Sequence, residues 1–397
     1  IFLLSSILIG RLALLQVVRG SNYQAVAEGQ RNVSSELPSD RGEIFLKDVN
    51  GLYPVAVNRQ YSLAYAVPID ISDARKTAEK AGSLLGVSSE ILEEKFLKKN
   101  DPFEIIRRRL SDEEVVKLQE EHLSGIGLLP ERYRFYPGGS LASQTIGFVG
   151  MSENESKGKY GVESSFEDEL RGETGAVSVE RDAAGRWIPL GDREFHSPIH
   201  GANVVLTLQK VVQFEVEKIL AEAISSFKAD SGTIIVIDPK TGNILALASL
   251  PDFDPNEYSK VENPELFLNP SISLTYEPGS IMKPITMAIG IEDGKVNAST
   301  EYVDTGVVVE GGYAIRNAEG KVYGRSTMTK VLEESINTGV IYVERLVGND
   351  RFRSYLQQFG FGTRTGIRLP AELPGNLRNL ENPKRSVEFY TASFGQG

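Results

Sequence analysis

The sequence predicts an α+β fold in which an antiparallel sheet is covered by helices, within a chain of more than one domain. With 397 residues, the chain exceeds what one ordinary hydrophobic core supports. An apolar strand from Thr233 to Ile237 leads through a polar turn at 238–243 into a return strand from Ile244 to Ala248. Apolar residues recur at helical spacing before this hairpin, from Gln209 to Ile224, and after it, over 281–289. This order is typical of a sheet with helices packed on it, and the first strand is apolar enough to be buried on both faces.

Residues 1–19 predict part of a transmembrane anchor. The stretch is mostly apolar, with Arg11 inside it and Arg19 at its end. A membrane span needs about 20 predominantly apolar residues, and this stretch falls slightly short and begins without a methionine. A buried amphipathic helix is the alternative interpretation.

Residues 20–200 predict a second α+β region, with a small helical insert at about 70–128. Short strands precede and follow the insert. Inside it, Asp73, Ser88 and Ser111 each stand just before an apolar-periodic segment, where they would cap a helix. We expect a boundary near residues 198–201, so that residues 201–397 form the C-terminal domain.

Composition excludes several kinds of site. The net charge of −11 leaves no basic surface for nucleic acid. The absence of cysteine excludes disulfides, thiolate metal sites and cysteine nucleophiles. Only three histidines occur, and none is near residue 280 in the sequence, so a lysine is the nearer base for a serine there. Nucleophilic catalysis by a serine with a lysine base needs neither a metal nor an organic cofactor.

Ser280 and Lys283 are the candidate nucleophile and general base. Pro278 and Gly279 break the preceding segment and deliver Ser280 to the start of an apolar helix. Residues three apart lie on one helix face, so the hydroxyl and the amine can point the same way, as a serine nucleophile with a lysine base requires. An exposed lysine titrates at about 10.4, so burial must lower its pKa before it can act near neutral pH.

The Ser-x-x-Lys pattern is weak by itself, because it occurs three times in this chain. Ser156–Lys159 and Ser225–Lys228 also match, in polar surroundings without an apolar helix to bury the lysine. An ordinary solvated pair is the alternative interpretation for any single match. Downstream, Ser335 could relay protons to the lysine, and Asn337 could hold both the lysine and a peptide substrate. Ser-x-Asn is equally short and occurs again at 152–154.

The order of these motifs resembles the class B penicillin-binding proteins, which are monofunctional peptidoglycan D,D-transpeptidases of the penicillin-binding protein and serine β-lactamase superfamily. The resemblance covers nearly the whole chain. Its matching segments are Arg11–Gly20, Asp40–Ile44, Arg134–Gly138, Gly161–Glu163, Gly172–Gly175, Ser280–Lys283, Ser335–Asn337, Phe359–Gly362, Thr365–Gly366 and Ser393–Gly397.

The resemblance implies a set of roles and partners. Ser280 is implied as the nucleophile, Lys283 as the general base, Ser335 as the proton relay, and Asn337 as the residue that positions substrate and lysine. The substrates would be D-Ala-D-Ala stem peptides, with penicillin and other β-lactams as inhibitors. Residues 20–200 would be an elongated, dimerisation-like pedestal. The protein would be a single-pass protein of the bacterial cytoplasmic membrane with its catalytic domain outside. Its partners would be a polytopic glycosyltransferase and cell-wall assembly proteins of elongation or division.

One family motif is absent, Lys-Thr/Ser-Gly on a strand beyond Ser393–Gly397, where this sequence stops. Lys240-Thr241-Gly242 matches its letters but lies in the hairpin, and we interpret it as turn chemistry. We therefore expect an incomplete transpeptidase domain, inactive as these 397 residues alone although the intact protein is an enzyme. A serine β-lactamase or D,D-carboxypeptidase, and a non-catalytic scaffold or β-lactam sensor, are the alternatives.

Overall fold

The computed structural model describes residues 32–152, 155–180 and 193–397, so the predicted anchor over residues 1–19 lies outside the described part. No helix among these described residues has the length and hydropathy needed to span a bilayer. The chain divides into two compact units, Ile1–Phe267 and Leu268–Gly397.

The first unit contains the longer strands and the predicted helical insert. Its strands are β1 (Asn32–Leu37), β2 (Ile44–Asp48), β3 (Gly51–Ala66), β4 (Glu104–Leu110), β5 (Ile126–Phe135), β6 (Phe148–Ser152), β7 (Glu155–Lys159), β8 (Gly175–Glu180), β9 (Arg193–His196), β10 (Val204–Gln209), β11 (Gly232–Ile237) and β12 (Ile244–Leu250). Its helices are α1 (Ala74–Leu85), α2 (Ser89–Phe96), α3 (Asp112–Glu120), α4 (Ser143–Ile146), α5 (Gly161–Ser165), α6 (Glu167–Arg171) and α7 (Lys210–Phe227).

A five-stranded sheet runs in the order β10-β2-β3-β4, with β5 also paired to β3. The β10–β2 pair is parallel and the others are antiparallel. Because β10 joins this sheet, its contacts place it in the first compact unit, which continues to Phe267. A separate antiparallel sheet has the order β1-β8-β9.

The helical insert packs on β3 and β4 through a core that includes Phe96 and Leu110. Its three predicted caps are confirmed: Asp73 accepts from the backbone N–H of residue 76, Ser88 from that of residue 91, and Ser111 forms a reciprocal capping box three residues along. The prediction was incomplete in one respect. The segment Glu104–Leu110 is a strand, because its backbone pairs with β3 while Ile106 and Leu110 pack into the core.

Three of the segments singled out in the sequence meet at a buried ion cluster in the first unit. The carboxylate of Glu163 is completely buried and accepts from Arg41 Nε at 2.7 Å and from Arg134 Nε at 2.6 Å. Arg41 also bonds to Glu167 Oε2 at 2.7 Å. The hydroxyl of Tyr136 lies 3.3 Å from Glu163 Oε1. These segments are therefore joined by charge-assisted hydrogen bonds.

The β11–β12 hairpin forms as predicted, but burial of β11 on both faces was wrong. Helix α7 covers the face that carries Ile234 and Val236. On the opposite face Ile235 is 45% exposed and Ile237 is 52% exposed, because alternate side chains of a strand point away from the one helix that covers it.

The Lys240-Thr241-Gly242 segment lies in the turn, where the Asp238 carboxylate accepts from the residue 240 N–H at 3.0 Å and the residue 241 hydroxyl at 2.8 Å.

The second unit is mainly helical, with two short β-ribbons. Its strands are β13 (Glu301–Asp304), β14 (Val307–Glu310), β15 (Tyr313–Arg316) and β16 (Gly324–Thr327), paired as β13–β16 and β14–β15. Its helices are α8 (Pro270–Ser273), α9 (Lys283–Glu292), α10 (Met328–Glu333), α11 (Asn337–Val347), α12 (Asn349–Gln358) and α13 (Ser386–Ala392). Helix α11 packs against α9, α12 and α13, and its apolar face supplies Val340, Ile341 and Val343 to the core.

Candidate active site

A tight turn presents Ser280 at the start of the helix that carries Lys283. Gly279–Met282 is a short 3-10 turn that continues directly into α9. Gly279 has φ 66° and donates its N–H to the Gly395 carbonyl at 2.8 Å. A Cβ on Gly395 would lie 2.2 Å from the Gly279 carbonyl oxygen, so the close approach requires glycine there. The segment Ser393–Gly397 thus braces the turn below an exposed Ser280.

Lys283 is buried and faces the residue that the sequence assigns as a relay. Only 2% of the surface of this residue is exposed to solvent. Its Nζ donates to the carbonyl oxygen of Ser335 at 2.5 Å and to Ser335 Oγ at 2.9 Å. Burial lowers the pKa of Lys283 to about 8, because removing the ammonium from water disfavours the charged form. The predicted lowering of this pKa is therefore present.

Ser335 links the lysine to the serine. Its backbone has φ 54°, a left-handed conformation that turns the chain between α10 and α11. Its Oγ donates to Ser280 Oγ at 3.2 Å, across 55 residues of sequence. The side chains of Lys283, Ser335 and Ser280 therefore form one continuous hydrogen-bonded chain. Groups connected in this way can exchange a proton through the central hydroxyl.

Asn337 is the first residue of α11 and lies two residues from Ser335. Its Nδ2 donates to the carbonyl oxygen of Arg316, at the end of β15, at 2.9 Å. The structure thus brings Ser280, Lys283 and Ser335 into direct contact, and it ties Asn337 to the neighbouring ribbon.

Sequence reasoning missed a buried carboxylate behind Asn337. Asp304 is 2% exposed and accepts four hydrogen bonds, from Gly306 N, Asn317 Nδ2, Tyr323 N and Thr338 Oγ1, at 2.6–2.9 Å. Burial opposes ionisation, but these bonds hold the pKa of Asp304 below its ordinary value. Asp304, Asn317 and Thr338 lie in three different segments of the sequence, so no local motif or spacing could have marked them.

Two observations bear on where ligands could bind. A cavity of about 750 Å³ adjoins the braced turn and is lined by Tyr276, Glu277 and Pro278 on one side and by residues 395–397 on another. Ser280, Lys283 and Ser335 are not among its lining residues. Across the described ranges, no cluster of three or more His, Asp or Glu side chains could hold a metal ion.

Two family models match successive parts of the chain. The penicillin-binding protein dimerisation domain matches residues 36–206, and the penicillin-binding protein transpeptidase domain matches residues 232–397. The chain belongs to the class B penicillin-binding proteins.

Particular relatives extend over almost all of this sequence. Stage V sporulation protein D of Bacillus subtilis is 31% identical over 98% of this chain and 59% of its own length. The peptidoglycan D,D-transpeptidase MrdA of Escherichia coli is 28% identical over 100% of this chain and 68% of its own length. Among solved structures, penicillin binding protein 2X from Streptococcus thermophilus shares the fold with a TM-score of 0.70 at 23% identity, over 92% of this chain and 57% of that one. The chain thus spans about three fifths of the first of these relatives.

Proposed function

We propose that the intact protein is a peptidoglycan D,D-transpeptidase that crosslinks stem peptides through a serine acyl-enzyme. The observation that carries this proposal is the hydrogen-bonded chain from buried Lys283 through Ser335 to exposed Ser280. A pKa of about 8 leaves a useful fraction of the lysine neutral near physiological pH. The relatives named as transpeptidases support the same reaction.

In the proposed reaction, the hydroxyl hydrogens rotate so that Ser280 donates to Ser335 Oγ and Ser335 donates to the neutral Lys283 amine. Ser280 Oγ attacks the carbonyl carbon of the D-Ala-D-Ala bond while its proton passes through Ser335 to Lys283. The lysine then returns the proton to the departing nitrogen of D-alanine, and the ester remains on Ser280. An amine from a neighbouring stem peptide attacks this ester, which forms the crosslink and restores the Ser280 hydroxyl. A β-lactam would acylate Ser280 by the same first step.

Asn337 is proposed to position the substrate. Its Nδ2 bond to the Arg316 carbonyl holds the amide group beside the serines at the start of α11. This placement supports binding of a peptide backbone beside Ser280, because an amide can both donate and accept.

The wider assignments rest on the family and on the apolar N-terminus. We propose an anchor over residues 1–19, a pedestal over 20–200 and a transpeptidase domain over 201–397, in a single-pass protein of the bacterial cytoplasmic membrane whose catalytic domain is outside. The domain matches at 36–206 and 232–397 support this order. A polytopic glycosyltransferase and cell-wall assembly proteins are the proposed partners.

Covalent labelling with a fluorescent penicillin tests the nucleophile. We expect Ser280→Ala in the full-length protein to abolish labelling, because the substitution removes the hydroxyl proposed to form the ester. Ser225→Ala is the matched control, since exposed Ser225 also begins a Ser-x-x-Lys match, and it should label like wild type. Labelling that persists in Ser280→Ala would remove Ser280 as the nucleophile, and an unlabelled wild-type protein would overturn the proposed function.

A further inference from the structure

We propose that Asp304, Asn317 and Thr338 act together as positioning residues that hold Ser335 and Asn337 in register with Ser280. The inference rests on the proposed function, because the reaction that these residues would serve is the acylation of Ser280. We call these three side chains the Asp304 network. None of them contacts Ser280 or Lys283 directly, so their effect is exerted through the backbone of the segment from Ser335 to Thr338.

Asp304 is the fixed point of the network. It ends β13, and its two oxygens accept from three separate segments: Asn317 Nδ2 at 2.9 Å, Tyr323 N at 2.8 Å and Thr338 Oγ1 at 2.6 Å, with Gly306 N added locally at 2.9 Å. A carboxylate has about four acceptor positions, so its hydrogen-bonding capacity is filled. Hydrogen bonds to a buried charge are among the strongest in proteins, and the side chain therefore has little freedom to move.

Asn317 carries this constraint to the start of α11. Its Nδ2 also donates to the Lys321 carbonyl at 3.1 Å, so both amide hydrogens have partners and the orientation of the amide is set. Its Oδ1 therefore faces Thr338 and accepts from the backbone N–H at 3.1 Å. It also lies 3.2 Å from Thr338 Oγ1, whose single proton is donated to Asp304 at 2.6 Å. The helix's own N-cap residue, Ile336, has no side chain able to accept a hydrogen bond. Asn317 thus supplies from another segment the cap that a polar N-cap residue normally provides.

The same dipeptide also holds the predicted substrate-binding residue. The carbonyl of Arg316 accepts from Asn337 Nδ2 at 2.9 Å. Residues 316 and 317 therefore hydrogen-bond to two consecutive residues of α11. Ser335 precedes the capped turn and has φ 54°, a conformation that costs a residue other than glycine roughly 1 kcal/mol or more. Such a conformation persists only where the surrounding structure imposes it. The Asp304 network fixes the chain immediately after Ser335, and Ser335 in turn holds Lys283.

A purely structural role would lower the stability of the protein without changing the chemistry of each folded molecule. A positioning role predicts that the acylation step slows in molecules that remain folded, while noncovalent binding of the β-lactam changes little. The acylation rate constant and the noncovalent dissociation constant, measured separately by rapid mixing, therefore distinguish the two roles.

The experiment compares Thr338→Val with Thr338→Ser in the full-length protein. Valine keeps the shape and the backbone N–H but loses the hydroxyl that bonds to Asp304 and Asn317, whereas serine keeps it. We expect Thr338→Val to slow acylation by a fluorescent penicillin by about tenfold, with the dissociation constant within about twofold of wild type, and Thr338→Ser to remain within about twofold in both. Asn317→Ala should slow acylation at least as much.

Ser326→Ala is the matched control. Ser326 is a buried hydroxyl on β16, and its Oγ has no hydrogen-bond partner, so its loss should leave both constants unchanged. The inference is overturned if Thr338→Val acylates within about twofold of wild type, or if it lowers only the melting temperature and the titrated fraction of active protein.

If wild-type protein is not acylated at all, the proposed function fails and the network is judged by hydrogen exchange. Faster amide exchange at residues 337–341 in Asn317→Ala than in Ser326→Ala would support the network on its own. Equal exchange in the two variants would overturn it.

Discussion

Lys283 shows how one residue acquires its chemistry from its surroundings. Its amine lies in a residue almost without solvent contact and bonds to a carbonyl and a hydroxyl of Ser335. Both partners are uncharged, so no opposite charge in direct contact offsets the cost of burying the ammonium, and burial lowers the pKa to about 8. A lysine paired with a carboxylate would have the opposite shift and could not accept a proton near neutral pH.

This pKa predicts the pH dependence of acylation. In the proposed reaction the neutral amine accepts the Ser280 proton. The acylation rate constant of the full-length protein should therefore rise with pH and level off above about 8, and it should fall about tenfold per pH unit below that. Penicillin acylation measured from pH 6 to pH 9.5 checks this. Lys283→Arg keeps the charge but does not lose its proton in this range, so it should acylate too slowly to show the step. A wild-type rate that is flat across the range would exclude Lys283 as the base.

At the scale of the element, helix α11 begins at the candidate site and has a buried carboxyl group in its interior. Its first turn carries Asn337 and is held by the Asp304 network. Two turns further on, Glu344 is completely buried, and neither carboxylate oxygen has a hydrogen-bond partner. Burial raises the pKa of Glu344 to about 8, partly opposed by Arg345. The side chain is therefore mostly neutral in the folded protein near pH 7.

Glu344 should make the stability of the second unit depend on pH. The pKa is raised from about 4.5 in the unfolded chain to about 8 in the folded one, so its contribution is fully present below about pH 4.5 and is lost as the pH rises through 8. Glutamine is a neutral group of the same shape. We expect Glu344→Gln to have a free energy of unfolding higher than that of wild type by more than about 1 kcal/mol at pH 8, and by much less at pH 5, as measured by chemical denaturation. Glu333→Gln, at an exposed position of α10, is the control and should show no such divergence. Equal effects of Glu344→Gln at both pH values would contradict the assignment.

At the scale of the whole molecule, the two compact units depend on different kinds of interaction. The candidate site and the Asp304 network lie entirely in Leu268–Gly397, where apolar helix packing and the buried carboxylate of Asp304 set the geometry. In Ile1–Phe267, segments far apart in the sequence are joined through the buried Arg41–Glu163–Arg134 cluster. Removing one partner from such a cluster leaves buried charges without compensation.

We therefore expect Glu163→Ala to destabilise the first unit by about 3–5 kcal/mol, because it leaves buried Arg134 without a carboxylate and Arg41 with Glu167 alone. Chemical denaturation of the full-length protein measures this. Asp168→Asn, at an exposed position of α6, should change stability by no more than about 0.5 kcal/mol. The acylation rate per folded molecule should be the same in both variants. A Glu163→Ala protein as stable as the control would show that the cluster is dispensable.

Much of this protein is determined by its sequence, because the relevant signals are local. Helix caps at Asp73, Ser88 and Ser111 and the hairpin turn after Asp238 depend on side chains within a few residues of the backbone groups they satisfy. The same is true of the turn that presents Ser280 three residues before Lys283. The order of short motifs along the chain was also sufficient to indicate the family.

Only the tertiary structure decided how distant segments meet. Three sets of hydrogen bonds join positions that are 13 to 55 residues apart in the chain. They are the bond from Ser335 to Ser280, the cap that Asn317 supplies to α11, and the bonds that Asp304 accepts from Asn317 and Thr338. The exposed face of β11 and the strand β4 inside the helical insert have the same origin. Hydrogen bonds and burial between such positions depend on how elements pack, and a periodic pattern read along one segment contains no information about the partner that will cover it.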